Sequence, residues 1–412
     1  MIKRTEQCQP AVDVPRTIRS KPSFLFCLPW DIQEVGGVNE VVRNLIRQTI
    51  RDGRFSPLLL QPSWNAPEMK RDVAAGIERV RLLVPALVGT TSLWRHTLSF
   101  LYRLPGCLWH LRAFFRNVQP AAINIHYPGP WVVPLWIAVR LWHSNCSFIL
   151  SFHGSDLTQI NASRWLTRHI WRALLKRTDR IICCSKSLAD KLRAFSGNLE
   201  QILVIHNAID AAALDEAYTA AANEPRLFED RPYLSNLATF EFKKGQDVLI
   251  EAFAKVRVRR PTLGLAIAGR EGPALEQLRQ QIRRFGLEDD VRLMINLPHG
   301  HSLKLLHDSQ LFVLSSREEP FGIVLLEANY FGVPVIASAS GGIPEVITDG
   351  ITGFLVPRED PDALATAIER LLADRALAMQ LATNAKQINL TGRSWREAYQ
   401  SYVAAAIATP SA

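Results

Sequence analysis

Short apolar runs alternate with amphipathic helical stretches along most of the chain. The apolar runs of strand length are 24–28, 57–60, 122–126, 148–152, 180–184 and 202–206 in the first half, and 233–237, 263–268, 292–295, 311–315, 334–337 and 353–356 in the second. Strands that are apolar on both faces and separated by helices are typical of parallel sheets built from βαβ units. Two sets of six therefore predict an α/β protein with two doubly wound, Rossmann-like domains.

The composition changes between residues 210 and 231, where an alanine-rich stretch is followed by proline and acidic residues. We therefore predict an N-terminal domain over 21–213, a linker over 214–231 and a C-terminal domain over 232–394. Residues 1–20 are expected to form a loose tail. The alanine-rich end, 395–412, is predicted to contain a helix that packs back on the N-terminal domain.

The balance of charge changes at the same place. The net charge is +9 at pH 7, but residues 1–200 carry 27 basic against 13 acidic residues, whereas 201–412 carry 21 against 26. The stretch 79–155 has no acidic residue and contains Arg79, Arg81, Arg95, Arg103, Arg112, Arg116 and Arg140, together with Trp94, Trp109, Trp131, Trp136 and Trp142. A basic, tryptophan-rich surface favours an anionic partner, a membrane or a nucleic acid. The alternative is a set of arginines on the solvated helix faces of a basic domain.

Cysteine usage and hydropathy indicate a cytosolic protein. The six cysteines have no CxxC spacing and are expected to be small apolar core residues. The N-terminus is polar and basic, unlike a secretory signal. The longest uncharged run, 117–139, has the length of a membrane span but contains four prolines, so it is predicted to form a strand, a loop and a short helix.

Two glycine pairs follow predicted strands. Gly36 and Gly37 precede an amphipathic helix, and backbone N–H groups at a helix start bind anions. Such a pair is also common in an ordinary tight turn. Gly341 and Gly342 repeat the arrangement in the second domain, before a predicted helix. Two glycine-rich helix starts, one in each domain, would suit a diphosphate bound between the domains.

Two carboxylates, Glu319 and Glu327, follow the strand predicted at 311–315. Ligands of α/β proteins bind at the carboxyl ends of the strands, where these groups could accept hydrogen bonds from sugar or ribose hydroxyls. The alternative makes Glu319 an acid at a helix start and Glu327 a surface residue. Glu327, however, is flanked by apolar residues, where an unpaired charge would be costly.

The segment from Glu319 to Glu327, followed by 332–337, 341–345 and 353–357, resembles the retaining group 1 (family 4) glycosyltransferases of GT-B fold. The pieces 153–156, 178–185, 205–210, 243–245 and 268–273 resemble other parts of the same family, so that the resemblance covers roughly 36–357. It implies two Rossmann-like domains that face each other across a cleft. It also implies transfer of a hexose from a nucleotide diphosphate sugar to an acceptor with retained anomeric configuration.

The resemblance assigns roles to individual residues. Glu319 is expected to contact hydroxyls of the transferred sugar, Lys244 to neutralise the departing diphosphate, and His153 to lie beside the reacting centre. Glu327 is expected to bind the ribose. The other predicted donor-binding residues are Gly36, Gly37, Lys243, Arg270, Gly322, Gly341 and Gly342. Since cationic and N–H donors would stabilise the diphosphate, no metal and no cofactor besides the donor substrate is expected.

The chain departs from the family at Thr239, where an arginine usually stands. Lys243 and Arg270 are the two candidates to supply the missing charge. The departure keeps open an alternative function, that of a catalytically weak or inactive, membrane-associated binding subunit. The carboxylate pair disfavours a nucleotide-sugar epimerase, and tryptophans in apolar helices disfavour nucleic-acid binding.

Two further motifs are interpreted as structural. Asp360 and Asp362 form a DxD sequence just before a predicted helix, so helix capping is the favoured role. His299, His301 and His307 have no partner cysteine or carboxylate pattern that would predict a metal site.

The basic N-terminal domain is predicted to bind the acceptor. A glycan that is lipid-linked or otherwise membrane-bound is favoured, because the arginines and tryptophans suit an anionic membrane surface. We therefore expect a cytoplasmic protein attached peripherally to the inner face of the membrane.

Overall fold

The computed structural model describes residues 21–34, 36–63, 69–74, 76–86, 93–225, 228 and 231–407. These residues form two α/β domains, built around sheets of eight and six strands. The predicted fold class is therefore confirmed. The tail predicted at 1–20 lies outside the described residues.

The N-terminal sheet has the strand order β3-β4-β2-β1-β5-β6-β7-β8. Its strands are β1 Ser23–Cys27, β2 Ser56–Ser63, β3 Lys70–Ala74, β4 Ile77–Leu83, β5 Pro120–His126, β6 Ser147–Phe152, β7 Arg180–Cys183 and β8 Ile202–Val204. All neighbouring strands are parallel except β3 and β4, and Leu25 at the centre pairs with Leu58 on one side and Ile123 on the other.

The prediction of six strands in this domain was wrong, because the β3–β4 hairpin was missed. Its strands are rich in charged residues and lie at the edge of the sheet, so they lack the apolar runs of the central strands. Arg79 of β4 is nevertheless buried, and its guanidinium contacts Asp72 at 2.7 Å and Asp31 at 2.8 Å. This ion-pair network holds the hairpin against the domain.

Helices cover both faces of the N-terminal sheet. They are α1 Gly37–Asp52, α2 Leu93–Val118, α3 Val132–Trp142, α4 Ser155–Asn161, α5 Trp165–Lys176 and α6 Lys186–Ser196. The apolar side of α1 packs on one face, while α2, α3, α5 and α6 pack on the other. The uncharged run 117–139 forms β5, a loop and most of α3, as predicted. Within the described part of the chain, no helix is both long and apolar enough to cross a membrane.

The C-terminal sheet has the order β11-β10-β9-β12-β13-β14 and is parallel throughout. Its strands are β9 Tyr233–Leu237, β10 Gly264–Gly269, β11 Val291–Ile295, β12 Leu311–Leu314, β13 Val335–Ser338 and β14 Phe354–Val356. The helices of this half are α7 Ala211–Ala221, α8 Gln246–Arg259, α9 Leu275–Phe285, α10 His299–His307, α11 Ile323–Phe331, α12 Pro361–Ala373 and α13 Arg375–Leu390. All six predicted strands are present.

The last helix, α14 Trp395–Ile407, returns to the N-terminal domain. Tyr399 is buried against α1, and its hydroxyl donates to Asp52 Oδ2 at 3.1 Å. The Ser147 hydroxyl of β6 donates to the carbonyl oxygen of Ala406 at 2.5 Å. The chain thus crosses between the domains twice, and α14 ties its end to the first sheet.

A carboxylate of the C-terminal domain caps a helix of the other domain. Glu345 accepts the backbone N–H groups of Lys186 and Ser187, at 2.8 and 3.0 Å, where α6 begins. The Nε2 atom of His206 lies 2.9 Å from the same carboxylate. A carboxylate at a helix N-terminus is favoured by the helix dipole, so this contact stabilises the observed arrangement of the domains.

The structure also bears on two structural predictions. Five cysteines, Cys27, Cys107, Cys146, Cys183 and Cys184, are buried and unpaired, as expected for core residues, and Cys8 lies outside the described residues. Asp360 Oδ1 accepts the backbone N–H of Ala363 at 2.8 Å at the start of α12. The capping role predicted for Asp360 is therefore confirmed.

Candidate active site

A cavity of about 700 Å³ lies between the carboxyl ends of the two sheets. Eight of the predicted site residues line it, namely Gly36, Gly37, His153, Lys243, Lys244, Arg270, Glu319 and Gly322. They follow five different strands, from both domains, because the carboxyl ends of parallel strands share one edge of each sheet. Residues of both domains that were predicted to bind ligand thus meet in one cleft.

Lys244 and Glu319 form an ion pair in this cavity. The Nζ atom of Lys244 donates to Glu319 Oε2 at 2.7 Å, and the two side chains are only 16 and 12 % exposed. The other carboxylate oxygen, Oε1, accepts no hydrogen bond from the described residues. The pair therefore presents a cation and a free carboxylate oxygen side by side.

The backbone around this pair is held tightly. Lys244 ends a 3₁₀ turn, Phe242–Lys244, and Gly245 follows with φ +61°. A Cβ atom at Gly245 would lie 2.0 Å from the carbonyl oxygen of Ser315, so only glycine fits there. The backbone N–H groups of Arg317 and Glu318 both donate to the carbonyl oxygen of Lys243, at 2.8 and 3.1 Å. These contacts fix the distance between Lys244 and Glu319.

The two candidate replacements for the family arginine have different surroundings. Lys243 Nζ lies 2.5 Å from Glu241 Oε2 and donates to the Ser155 hydroxyl of the opposite domain at 3.3 Å. The Arg270 guanidinium is exposed beside Thr239 in the cavity lining and has no ion-pair partner in the part of the chain that the structure describes. Arg270 is therefore the cation that is better placed to meet an anionic ligand.

His153 contributes a neutral imidazole to the cavity, since burial lowers its pKa to about 4. Its Nε2 atom lies 3.0 Å from Nδ1 of His126, which is completely buried at the end of β5. The backbone N–H groups of His153 and Gly154 donate to the Asp156 carboxylate at 2.8 and 2.7 Å. Burial raises the pKa of Asp156 to about 6, although these N–H groups favour its charged form.

Gly36 and Gly37 begin α1, as predicted, at the edge of the cavity. The space around Gly36 is open: no described atom lies within 4 Å of where its Cβ would be. The first amides of a helix have no acceptor within the helix. This helix start can therefore donate hydrogen bonds to an anion in the cavity.

The prediction of a helix after Gly341 and Gly342 was wrong, because only a 3₁₀ turn, Ile343–Glu345, forms there. The backbone N–H of Gly342 donates to the carbonyl oxygen of Glu319 at 2.9 Å. A Cβ at Gly341 would lie 2.0 Å from that same oxygen. The two glycines thus allow the Glu319 loop to pack directly against them, and the Gly342 amide is already occupied.

Glu327 lies on α11 and lines a second cavity, of about 720 Å³, that also contacts Ile323 of the first. Its side chain is 14 % exposed, and its Oε1 atom is 3.3 Å from Nε2 of His299. The hydrogen bond to Glu327 raises the pKa of His299. The charge inside the apolar helix is therefore paired. Among the described residues there is no cluster of three histidine, cysteine or carboxylate side chains that could hold a metal.

Several of these contacts were missed from the sequence. His126 is signalled only by a polar residue at the end of an apolar strand, and Glu345 only by its place after the glycine pair. For His299 the sequence disfavoured a metal-binding role but did not indicate its partner, Glu327, which lies 28 residues further along the chain.

The basic surface predicted on the N-terminal domain is smaller than the sequence implied. Arg79, Arg81 and Arg140 are engaged in ion pairs with aspartates. Of the five tryptophans, Trp131 is buried, Trp136 and Trp142 are partly buried, and Trp109 is 67 % exposed. The side chains of Trp94 and Arg95 lie outside the described residues. What remains is one face of α2.

That face, which we call the α2 face, combines apolar and basic side chains. Its exposed apolar residues are Leu98, Leu101, Tyr102 and Trp109, and its exposed arginines are Arg103, Arg112 and Arg116. Helical spacing of three or four residues places most of them along one side. The α2 face is therefore amphipathic and cationic.

Two family models together match most of the chain. The model described as Glycosyltransferase Family 4 matches residues 35–213, and the model described as Glycosyl transferases group 1 matches 218–388. The two matches meet where the chain passes from the first sheet to the second.

Curated relatives are similar over part of their length. Glycogen synthase of Mycobacterium tuberculosis is 34 % identical over 224 residues, which are 54 % of this chain and 52 % of the relative. N-acetyl-alpha-D-glucosaminyl L-malate synthase of Bacillus anthracis is 29 % identical over 64 % of this chain and 68 % of the relative. A GDP-mannose-dependent phosphatidylinositol monomannoside mannosyltransferase of Mycolicibacterium smegmatis is 36 % identical over 45 % and 50 %. This chain thus spans about half the length of some of the relatives that it matches.

Solved structures match nearly the whole chain. Sucrose-phosphate synthase from Thermosynechococcus elongatus superposes with a TM-score of 0.74 at 22 % identity, covering 93 % of this chain and 97 % of the other. Anabaena Alr3699/HepE, in complex with UDP and glucose, gives 0.73 at 19 % identity, with 93 and 98 % coverage. The likeness establishes the GT-B fold.

Proposed function

The chain belongs to the group 1 glycosyltransferases, and from that premise we propose that it transfers a hexose from a nucleotide diphosphate sugar to a glycan acceptor with retention of configuration. The observation that carries the proposal is the Lys244–Glu319 pair in the interdomain cavity. A cation and a carboxylate held side by side suit the diphosphate and the hydroxyl groups of a nucleotide sugar. His153 and the start of α1 face this cavity from the acceptor domain.

In this proposal the C-terminal domain binds the donor. The free Oε1 atom of Glu319 accepts a sugar hydroxyl, and Glu327 accepts the ribose hydroxyls. Lys244, Arg270 and the amides at Gly36 and Gly37 donate to the diphosphate. Gly341 and Gly342 act through the loop that carries Glu319. Complexes of Anabaena Alr3699/HepE with UDP and with UDP-glucose support a nucleotide sugar as the donor class.

Catalysis then consists of positioning and leaving-group stabilisation. As the bond from the anomeric carbon to the diphosphate breaks, negative charge grows on oxygen atoms that face Lys244 and Arg270. Fixed charges that face the growing negative charge stabilise that change strongly. The acceptor hydroxyl attacks the anomeric carbon from the face that the diphosphate leaves, and the proton of this hydroxyl passes to an oxygen atom of the departing diphosphate. We assign no carboxylate nucleophile, no cofactor and no metal to this step.

We further propose that the acceptor is bound to a membrane and that the enzyme attaches peripherally through the α2 face. Exposed tryptophan and leucine suit the interfacial region, and arginines attract anionic lipids. The name of the Mycolicibacterium relative, a phosphatidylinositol monomannoside mannosyltransferase, supports a lipid-linked acceptor. This attachment would place the enzyme on the inner membrane face.

Donor binding is tested by thermal unfolding with a panel of nucleotide diphosphate sugars. A donor at 100 times its dissociation constant stabilises the folded state by about 2.7 kcal/mol. We expect one donor class to stabilise the wild type and the Glu318→Gln variant, but to stabilise Glu327→Ala less. A donor that binds without being turned over would favour the alternative, a binding subunit in which Thr239 replaces the family arginine.

A further inference from the structure

A hydrogen bond between two histidines connects the candidate active site with a fully buried residue. His153 lines the cavity, whereas His126 is fully buried beneath it. His126 Nδ1 and His153 Nε2 are 3.0 Å apart, and the two rings are inclined by 25°. The ring of His153 is therefore held by a residue that does not itself line the cavity.

Both imidazoles are neutral, because burial lowers the pKa of each. A single proton then lies between the two nitrogen atoms and belongs to one ring or the other. Two combinations of tautomers are therefore possible. If His126 donates from Nδ1, the proton of His153 is on Nδ1. If His153 donates from Nε2, the proton of His126 is on its own Nε2.

The surroundings of His126 distinguish these arrangements. Its Nε2 atom is buried and has no hydrogen-bond partner in the described part of the chain. The aromatic rings of Phe26 and Tyr402 lie nearby, each with its centroid 6.3 Å from that of the imidazole. The nearby Ser151 hydroxyl donates to Asn124 instead, at 2.7 Å. If Nε2 of His126 carried the proton, it would be a buried donor without an acceptor. Buried donors without a partner are rarer than buried acceptors without one, so the proton is expected on Nδ1 of His126.

We propose that His126 is a positioning residue, which donates its Nδ1–H to His153 Nε2 and so fixes the proton of His153 on Nδ1. The hydrogen bond made by one ring nitrogen sets the protonation of the other. His153 then presents an N–H donor, rather than a lone pair, to an oxygen atom of the bound donor sugar. This role rests on the function proposed above.

The tautomer of His153 can be measured without any substrate. Nitrogen NMR of the histidine rings in the full chain assigns the proton, and the signals lost in His153→Gln identify those of His153. We expect His153 to carry its proton on Nδ1 in the wild type. A proton on Nε2, or an average of the two tautomers, would overturn the proposal.

Steady-state kinetics of two His126 variants test whether the hydrogen bond from His126 to His153 supports catalysis. His126→Leu removes the donor, whereas the side-chain amide of His126→Asn can place an N–H near the same position. We expect kcat to fall about 10-fold in the leucine variant and at most about 3-fold in the asparagine variant, as for the loss of one hydrogen bond, with the donor KM nearly unchanged in both. Equal losses in the two variants would contradict the proposal.

His143→Leu is the matched control. His143 belongs to the same domain, its Nε2 atom is also buried without a partner in the described structure, and it packs against Phe115. A 10-fold loss of kcat in this variant would show that any buried histidine of the domain has the same effect, and would also overturn the proposal. If His126→Leu does not fold, the wild-type tautomer and His126→Asn decide. If no donor is turned over at all, the proposed function fails, while the tautomer measurement still tests His126.

Discussion

Gly154 and Pro320 meet across the interdomain cleft so closely that a Cβ on Gly154 would lie 2.2 Å from Cγ of Pro320. Gly154 directly follows His153, and Pro320 directly follows Glu319. This contact between the two domains therefore constrains the distance between the residues predicted to act on the sugar. Gly154 also has a φ of +118°, a backbone conformation that residues with a side chain rarely adopt.

Gly154→Ala is expected to impair both stability and activity. The backbone strain alone destabilises by about 1–3 kcal/mol. Because the added Cβ would clash with Pro320, the residues on the two sides of the cleft should also be displaced relative to each other. We therefore expect kcat to fall at least about 10-fold. Chemical denaturation and steady-state kinetics measure the two effects.

Gly197→Ala is the control for this prediction. Gly197 has φ +89°, but a Cβ there would meet no described atom within 4 Å. It should lose stability by a similar strain and retain kcat. Equal kcat values in the two alanine variants would refute the role of the Gly154–Pro320 contact.

The two carboxylates should have different kinetic effects. Glu319→Ala is expected to reduce kcat, because its partner hydroxyls belong to the reacting sugar. Glu327→Ala should mainly raise the KM for the donor, because the ribose does not react. A hydrogen bond to a charged group contributes about 1.5–3 kcal/mol, hence roughly 10- to 150-fold in each case. Wild-type kinetics in both variants, with every accepted donor, would exclude this assignment.

The His299–Glu327 pair should make stability depend on pH. The pKa of His299 is raised in the folded state, so its contribution is fully present below the unfolded pKa and is lost as pH rises through the folded pKa. His299 is 42 % exposed, so we expect only about 0.2–1 kcal/mol. His299→Gln should therefore lower Tm by about 1–3 °C at pH 5.5 and by less at pH 8.5.

His301→Gln serves as the control, since His301 has the same 42 % exposure on the same helix and approaches its acidic neighbour only to 3.9 Å. Its effect on Tm should change little between the two pH values. A Tm difference for His299→Gln that grows towards pH 8.5 would contradict the assigned pair.

The α2 face should bind anionic membranes. Each arginine near an anionic surface contributes about 1 kcal/mol, so replacing Arg103, Arg112 and Arg116 with glutamine removes about 3 kcal/mol of attraction. We expect wild-type protein to co-sediment with anionic liposomes, less so at high salt, and the triple variant to remain in solution. The donor affinity of the triple variant should be unchanged.

A second triple variant separates the α2 face from net charge. Replacing Arg279, Arg283 and Arg284 of α9 removes the same charge from the other domain and should leave liposome binding intact. Equal binding of the wild type to neutral and anionic liposomes would show that the arginines of the α2 face do not attract it to anionic lipids. Failure to bind either would indicate an acceptor that is not membrane-bound.

Local sequence patterns encode some features of this fold and not others. Central strands such as 233–237 were predictable, because burial on both faces requires continuous apolar runs. The β3–β4 hairpin was not, because its exposed edge tolerates the charges that obscure the pattern. The helix start at Gly36 was predictable from the amphipathic run that follows it.

Contacts between distant segments were less accessible. The pairing of Glu327 with His299, and of His153 with His126, depends on which strands and helices become neighbours. Gly341 and Gly342 were predicted to begin a helix, which does not form. The close approach of the Glu319 loop to these two glycines is visible only in three dimensions.

We expect Lys244 and Glu319 to support retaining hexose transfer without a metal. The most direct test is product analysis by NMR after reaction of the identified donor with a lipid-linked glycan acceptor in the presence of EDTA. Wild type and Lys255→Ala, which alters an exposed lysine of the same domain, should form a product with the anomeric configuration of the donor. Lys244→Ala should form almost none. An inverted product, a requirement for added magnesium or manganese, or full activity in Lys244→Ala would contradict the account.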